Sequence, residues 1–183
     1  RCWGTRWIDS RAILKISKVL IEQNQIEQKV KELAERINKD YLGEELVIVG
    51  ILKGAFIVIS DIAKQLDVDV TFEFMSIQSY EGTQSTGQIK IDKDLDIDIT
   101  GKNILIVEDI FDTGLTLSHL KNLLESRNPK SIEILCMFVK KDISTKPVDI
   151  KYSGFEIGPE FVVGYGLDYE GKYRELPFLG ILS

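Results

Sequence analysis

Two adjacent carboxylates, Glu108 and Asp109, followed after two residues by Asp112-Thr113-Gly114-Leu115-Thr116, form the stretch of this chain best equipped for chemistry. Thr113 and Thr116 supply hydroxyl donors, and Gly114 lets backbone N–H groups come close to a ligand. The leucines that follow, at 117, 120, 123 and 124, have helical spacing, so the turn opens a helix. A helix N-terminus offers unpaired N–H groups and the positive end of its dipole, which suits a phosphate. Carboxylates beside a phosphate repel it unless a hard cation stands between them, and magnesium is the usual choice. The stretch therefore points to a phosphorylated substrate held with Mg2+.

The elements that position it follow from apolar runs. Ile104 to Val107 reads as a strand buried on both faces, expected to stop at Glu108-Asp109 because a buried strand does not tolerate two carboxylates in its middle. The same grammar recurs at Leu46 to Leu52, which ends at Lys53-Gly54 before the helical spacing of Phe56, Ile59, Ile62 and Leu66. Ser131 to Val139 is another such strand and ends at Lys140-Lys141. A lysine at a strand's carboxyl end beside a glycine suits a pyrophosphate, although strand-end lysines also occur on plain solvated edges. Upstream, Asn24 can cap a helix with Glu27 three residues on and Ile26, Val30, Leu33 and Ile37 on one face. Val68 to Ile77 reads as a third strand. Gln78 to Gly87 is too long and polar for a tight hairpin and is expected to be a mobile loop. Asp92 to Thr100 reads as a solvated linker. Repeated strand, loop and helix units predict an α/β domain with a mostly parallel twisted sheet flanked by helices, and ligands at the carboxyl edge of the strands.

Composition narrows the function. The 183 residues, 44% hydrophobic, suffice for one core, so residues 16–183 read as a single domain. Residues 1–15 hold both tryptophans and read as an atypical N-terminal extension or an added remnant. A net charge of −6 with no long basic run argues against a nucleic-acid partner. No apolar stretch approaches the roughly 20 residues that span a bilayer, so no membrane partner is expected. Cys136 sits in an apolar run as a buried free thiol would, in keeping with a cytoplasmic setting. A single histidine, His119, rules out zinc sites built on several histidines. A strand ending in Glu-Asp also suits the Walker B element of a P-loop NTPase, but the chain lacks G-x-x-x-x-G-K-[ST]; at Gly82 to Gly87 the lysine and hydroxyl are missing. Gly164-Tyr165-Gly166 has no third glycine at the spacing of a dinucleotide fingerprint.

The segment VEDIFDTGLT (107–116) resembles the phosphoribosyl-pyrophosphate (PRPP) motif of type I phosphoribosyltransferases. With Leu52-Lys53-Gly54, Ser79-Tyr80, Lys140 and Leu167-Asp168-Tyr169 in family order, the resemblance narrows to hypoxanthine-guanine phosphoribosyltransferases of the bacterial type. Leu115, where mammalian members carry lysine, sides with the bacterial enzymes. The resemblance implies a small hood built from the chain's ends, transfer of a phosphoribosyl group from PRPP to hypoxanthine or guanine in purine salvage, and a homo-oligomer, dimer or tetramer. It assigns Asp112 as the general base, and Glu108 and Asp109 to the ribose hydroxyls and metal. Lys53 and Gly54 would take pyrophosphate, with a cis peptide at Leu52-Lys53, and Arg174 would clamp it. Thr113, Gly114, Leu115 and Thr116 would hold phosphate, and Ser79 and Tyr80 would belong to a lid. Lys140 would donate to the 6-oxygen of the purine, Phe161 stack on the ring, Val162 read its edge, and Asp168 hold a second magnesium. Two alternatives stay open: a preference for xanthine, and an RNA-binding regulator of pyrimidine synthesis that shares the PRPP loop.

Overall fold

The computed structural model describes residues 16–79, 89–140 and 148–183, except for the side chains of Ser79 and Ile89. Residues 1–15, the stretch from Tyr80 to Gln88, and residues 141–147 with Lys141 lie outside the described residues, so the expectations attached to them have no structural counterpart. In chain order the elements are β1 (Ile16–Ile21), α1 (Gln23–Asp40), β2 (Glu45–Leu52), α2 (Phe56–Ala63), β3 (Asp69–Ser79), β4 (Ile89–Lys93), β5 (Asn103–Phe111), α3 (Leu115–Glu125), β6 (Ser131–Lys140), β7 (Tyr152–Ile157), β8 (Val162–Val163) and β9 (Leu179–Leu182).

Six strands form one sheet in the order β4-β3-β2-β5-β6-β7, parallel except for β4. The apolar runs are continuous because each strand feeds two cores. Leu46, Ile48, Leu105, Val107, Leu135 and Met137 pack with α1 and α2, while Val47, Val49, Ile104, Ile106, Ile134 and Cys136 pack with α3. Each such aliphatic side chain contributes roughly 1.5–3 kcal/mol on burial. β1, β8 and β9 form the separate antiparallel sheet β1-β9-β8, which is the hood made from both ends of the described chain.

The topology fixes where ligands go. From β2 the chain moves through α2 to β3 on one side, whereas β5 lies on β2's other flank and leads through α3 to β6. The strand order therefore reverses between β2 and β5, and the crevice outside their carboxyl ends is the place where open α/β sheets bind ligands.

Several details differ from the sequence reading: Gln78 and Ser79, read as loop, end β3, and Asp92 and Lys93, read as linker, end β4, because the two strands pair antiparallel. Helix α1 begins two residues earlier, with Glu22 at the N-cap and its N–H donating to Gln25 Oε1 at 2.9 Å, so Asn24 and Glu27 lie inside the helix. Strand β5 does not stop at Glu108-Asp109 but runs on to Phe111. Its pairing with β2 ends at Gly50↔Val107, while pairing with β6 continues to Phe111↔Val139. The carboxylates are tolerated because the sheet opens beside them on the β2 side.

Candidate active site

At that opening lies a cavity of about 240 Å³, lined by residues 108–114 with Thr116 and Leu117. Its floor is the start of α3. Gly114 is the N-cap at φ 78°, a left-handed conformation that glycine adopts without steric penalty, and no side chain caps the helix. The first N–H groups of α3 therefore have no intrahelical acceptor and face the cavity's anion-favouring end.

Glu108 and Asp109 form a tightly coupled pair. Burial first, and then the charge of Asp109, push Glu108 well above the ordinary carboxylate range. Burial also raises Asp109, opposed by the Ile110 N–H that donates to Oδ1 at 2.8 Å and by the charge of Arg174. Two buried carboxyls side by side disfavour each other's charged form, so the pair calls for positive charge beside it.

Gly54 packs directly on this pair: a Cβ at position 54 would stand 1.7 Å from Asp109 Oδ2. Lys53 precedes it on the exposed side, and the Leu52–Lys53 peptide is cis. Against the carbonyl of Gly54 lies Gly166, at φ 101°, where a Cβ would come within 2.2 Å of that oxygen. Gly166 accepts a hydrogen bond from Arg174 Nη1, and Arg174 Nη2 pairs with Asp168. Asp168 Oδ2 also accepts the Gly171 N–H at 2.8 Å. Thus Lys53-Gly54, Asp109 and the Asp168–Arg174 pair occupy one end of the crevice.

At the other end, Lys140 Nζ stands 3.5 Å from Asp112 Oδ2, with the Lys140 side chain 12% exposed and that of Asp112 48%. At this length the contact is an ion pair rather than a strong hydrogen bond, and both groups remain able to take a ligand. On the hood, Val162 is buried, whereas Phe161 is 53% exposed and meets Tyr169 edge-on at 5.9 Å.

The comparisons fit this arrangement. Residues 19–170 match the phosphoribosyl transferase domain family. The hypoxanthine-guanine phosphoribosyltransferase of Mycobacterium tuberculosis is 44% identical over 175 residues, covering 92% of this chain and 87% of that protein. A crystal structure of a hypoxanthine phosphoribosyltransferase from Staphylococcus aureus superposes with TM-score 0.89 at 44% identity, covering 92% of each chain. A hypoxanthine-guanine phosphoribosyltransferase from Bacillus anthracis, solved with HEPES in its active site, gives TM-score 0.88 at 40% identity over 93% of this chain and 99% of that one. The chain belongs to the hypoxanthine-guanine phosphoribosyltransferase family.

Within this phosphoribosyltransferase, the donor chemistry suits magnesium at Glu108-Asp109, where buried oxygen ligands demand positive charge. Among the described residues no three acidic, cysteine or histidine side chains converge on one point, and Asp168 is tied to Arg174 instead of joining the pair. A cation here would complete its shell with substrate oxygens and water, as Mg2+ commonly does. The crevice is also built from residues that the sequence did not single out. Ile110 lines the cavity, yet it reads simply as another apolar strand position. Gly166 reads only as part of a failed G-x-G, and its close approach to Gly54 becomes visible only in three dimensions. No helix among the described residues is long and apolar enough to cross a membrane.

Proposed function

We propose that this chain transfers the 5-phosphoribosyl group of PRPP to N9 of hypoxanthine or guanine, giving IMP or GMP and pyrophosphate in purine salvage. The meeting of Lys140 with Asp112 over the uncapped start of α3 carries the reading, since it sets a donor-only cation and a carboxylate side by side at a phosphate site. Lys140 Nζ donates to a purine 6-oxygen and offers nothing to a 6-amino group, which disfavours adenine. Asp112 takes the proton from N7 as N9 bonds to C1 of the ribose and the bond from C1 to pyrophosphate breaks. Phe161, half-exposed on the hood, offers its face to the ring, and the backbone of Val162 reads the ring edge.

The 5-phosphate is held by Thr113, Gly114, Leu115 and Thr116 through backbone N–H groups and hydroxyls. Glu108 and Asp109 hold the ribose hydroxyls. Lys53, the backbone of Gly54 and Arg174 receive the departing pyrophosphate, whose charge grows in the transition state. Glu108 and Asp109 would hold Mg2+, and Asp168 a second ion, which would supply positive charge to the departing pyrophosphate. By resemblance Ser79 and Tyr80 complete the substrate site. The buried free thiol of Cys136 suits a reducing cytoplasm. The homo-oligomer, dimer or tetramer, that the resemblance implies belongs to the same reading.

The test is nucleotide formation from PRPP and Mg2+ with hypoxanthine, guanine, xanthine and adenine offered separately. Turnover of the first two that stops on chelation supports the reading. Preference for adenine, or no nucleotide from any base, overturns it, and xanthine as the best acceptor would reassign the base preference.

A further inference from the structure

The crevice has two walls on different parts of the fold, and something must hold them at a fixed separation. Asp109 lies in β5 of the central sheet and Lys53-Gly54 in the turn from β2 to α2, whereas Gly166, Asp168 and Arg174 belong to the segment that joins the hood strands β8 and β9. Between them stands Tyr165, 3% exposed, in a run where Gly164, Tyr165 and Gly166 all have positive φ (100°, 49° and 101°). A bulky residue in that conformation persists only where its surroundings over-determine it. Its N–H donates to Leu176 O at 2.8 Å, and its ring meets Phe138 edge-on at 6.2 Å. Its hydroxyl donates to Asp61 Oδ2 at 3.0 Å, a contact that crosses from this segment to α2. Asp61 also pairs with the exposed Lys64, whose Nζ donates to Oδ1 at 3.1 Å.

The chain connections give this bond leverage. Asp61 lies on the helix that Lys53-Gly54-Ala55 opens, and Tyr165 immediately precedes Gly166, whose Cα packs against the Gly54 carbonyl. Gly166 is in turn bonded to Arg174 in both directions, N–H to carbonyl at 3.0 Å and guanidinium to carbonyl. We propose that Asp61 and Tyr165 are positioning residues for the pyrophosphate half of the site: their hydrogen bond seats Gly166 on Gly54 and so sets Arg174 and Asp168 opposite Lys53 and Asp109. Neither residue touches substrate. The proposal rests on the PRPP reading of the site. The base half does not depend on the Tyr165 hydroxyl: Lys140 and Asp112 stand on β6 and the β5–α3 turn, β6 meets only the ring of Tyr165, through Phe138, and β8 behind Phe161 is fastened by its own pairing with β9.

Tyr165→Phe tests it, since it keeps the ring on Phe138 and removes only the hydroxyl, leaving Asp61 its partner Lys64. Losing one hydrogen bond to a charged acceptor is expected to raise KM for PRPP about tenfold, with KM for hypoxanthine within about twofold of the wild type. Asp61→Ala should reproduce that split, and the double variant should be no worse than either single one. Asp61→Asn, whose side-chain oxygen still accepts, should bring KM for PRPP back to within about threefold. Thermal unfolding of each variant is followed alongside. Equal rises in both KM values, additive effects in the double variant, or lost stability with KM for PRPP unchanged would each overturn the proposal. A wild-type protein that forms no nucleotide would instead overturn the PRPP reading beneath it.

Discussion

Gly54→Ala probes the tightest contact in the crevice. The new methyl group would stand 1.7 Å from Asp109 Oδ2, 2.3 Å from its Cγ and 2.8 Å from Oδ1, all inside the 3.0 Å that real Cβ atoms keep. The carboxylate must therefore retreat by about 1.3 Å or more. It has little room, because Asp109 is 8% exposed and its Oδ1 holds the Ile110 N–H at 2.8 Å. A misplacement of about 1 Å at a reacting centre costs on the order of 100-fold, or ~2.7 kcal/mol of transition-state stabilisation. Overpacking should cost a further ~1–3 kcal/mol of folding stability. The assay is steady-state nucleotide formation with PRPP titrated at saturating hypoxanthine, paired with thermal unfolding. Gly101→Ala separates strain from steric conflict: at φ +71° with nothing within 4 Å, it should lose about 1 kcal/mol of stability and no kcat/KM. Gly54→Ala with wild-type kcat/KM for PRPP would refute the reasoning, because Asp109 would then not be needed where the structure puts it.

Asp112→Asn should lower kcat about 100-fold or more while KM for PRPP stays near the wild-type value, and an undiminished kcat would remove Asp112 as the base. Lys140→Gln replaces a pure donor with a group that also accepts, so the ratio of kcat/KM for hypoxanthine over adenine should fall at least about tenfold; an unchanged ratio would show that selection lies elsewhere. Burial pushes the Tyr41 phenol up to about 12 and also raises Tyr152 and Tyr165. A phenol pKa raised in the folded state contributes stability that is intact below about pH 10 and lost as pH climbs through 12. Urea unfolding from pH 8 to 12 should therefore show midpoints falling above pH 10, and constant or rising midpoints would contradict the assignment.

The central sheet was legible because burial on both faces writes itself into the chain as unbroken apolar runs: Leu46 to Leu52, Ile104 to Val107 and Ser131 to Val139 all lie within strands. The loop chemistry was legible for a similar reason, since Asp112 to Thr116 combines residue types that a plain connection does not need. The extent of β5 was not. Whether Glu108 and Asp109 lie within a strand depends on how far β2 and β6 run beside it, and the two neighbours stop at different points. The hood was expected only through the resemblance, since β8 has two residues and β9 four, too short for any periodicity to register, and the six residues of β1 do not alternate cleanly. The aspartates from Asp92 to Asp98 read as solvated charge and are exposed, but the sequence does not show that Arg127 grips Asp94 with both guanidinium nitrogens at 2.8 and 2.7 Å or that the buried Glu73 accepts the Asp96 N–H. Contacts such as Asp61 with Tyr165 join residues far apart in sequence, and a single chain read in order carries no sign of them.

A crystal structure with IMP bound tests the central claim most directly. The account puts the 5-phosphate on the N–H groups at the start of α3, the purine 6-oxygen on Lys140 Nζ, and N7 facing Asp112. A phosphate bound elsewhere, or a purine whose 6-oxygen is out of reach of Lys140, would contradict it.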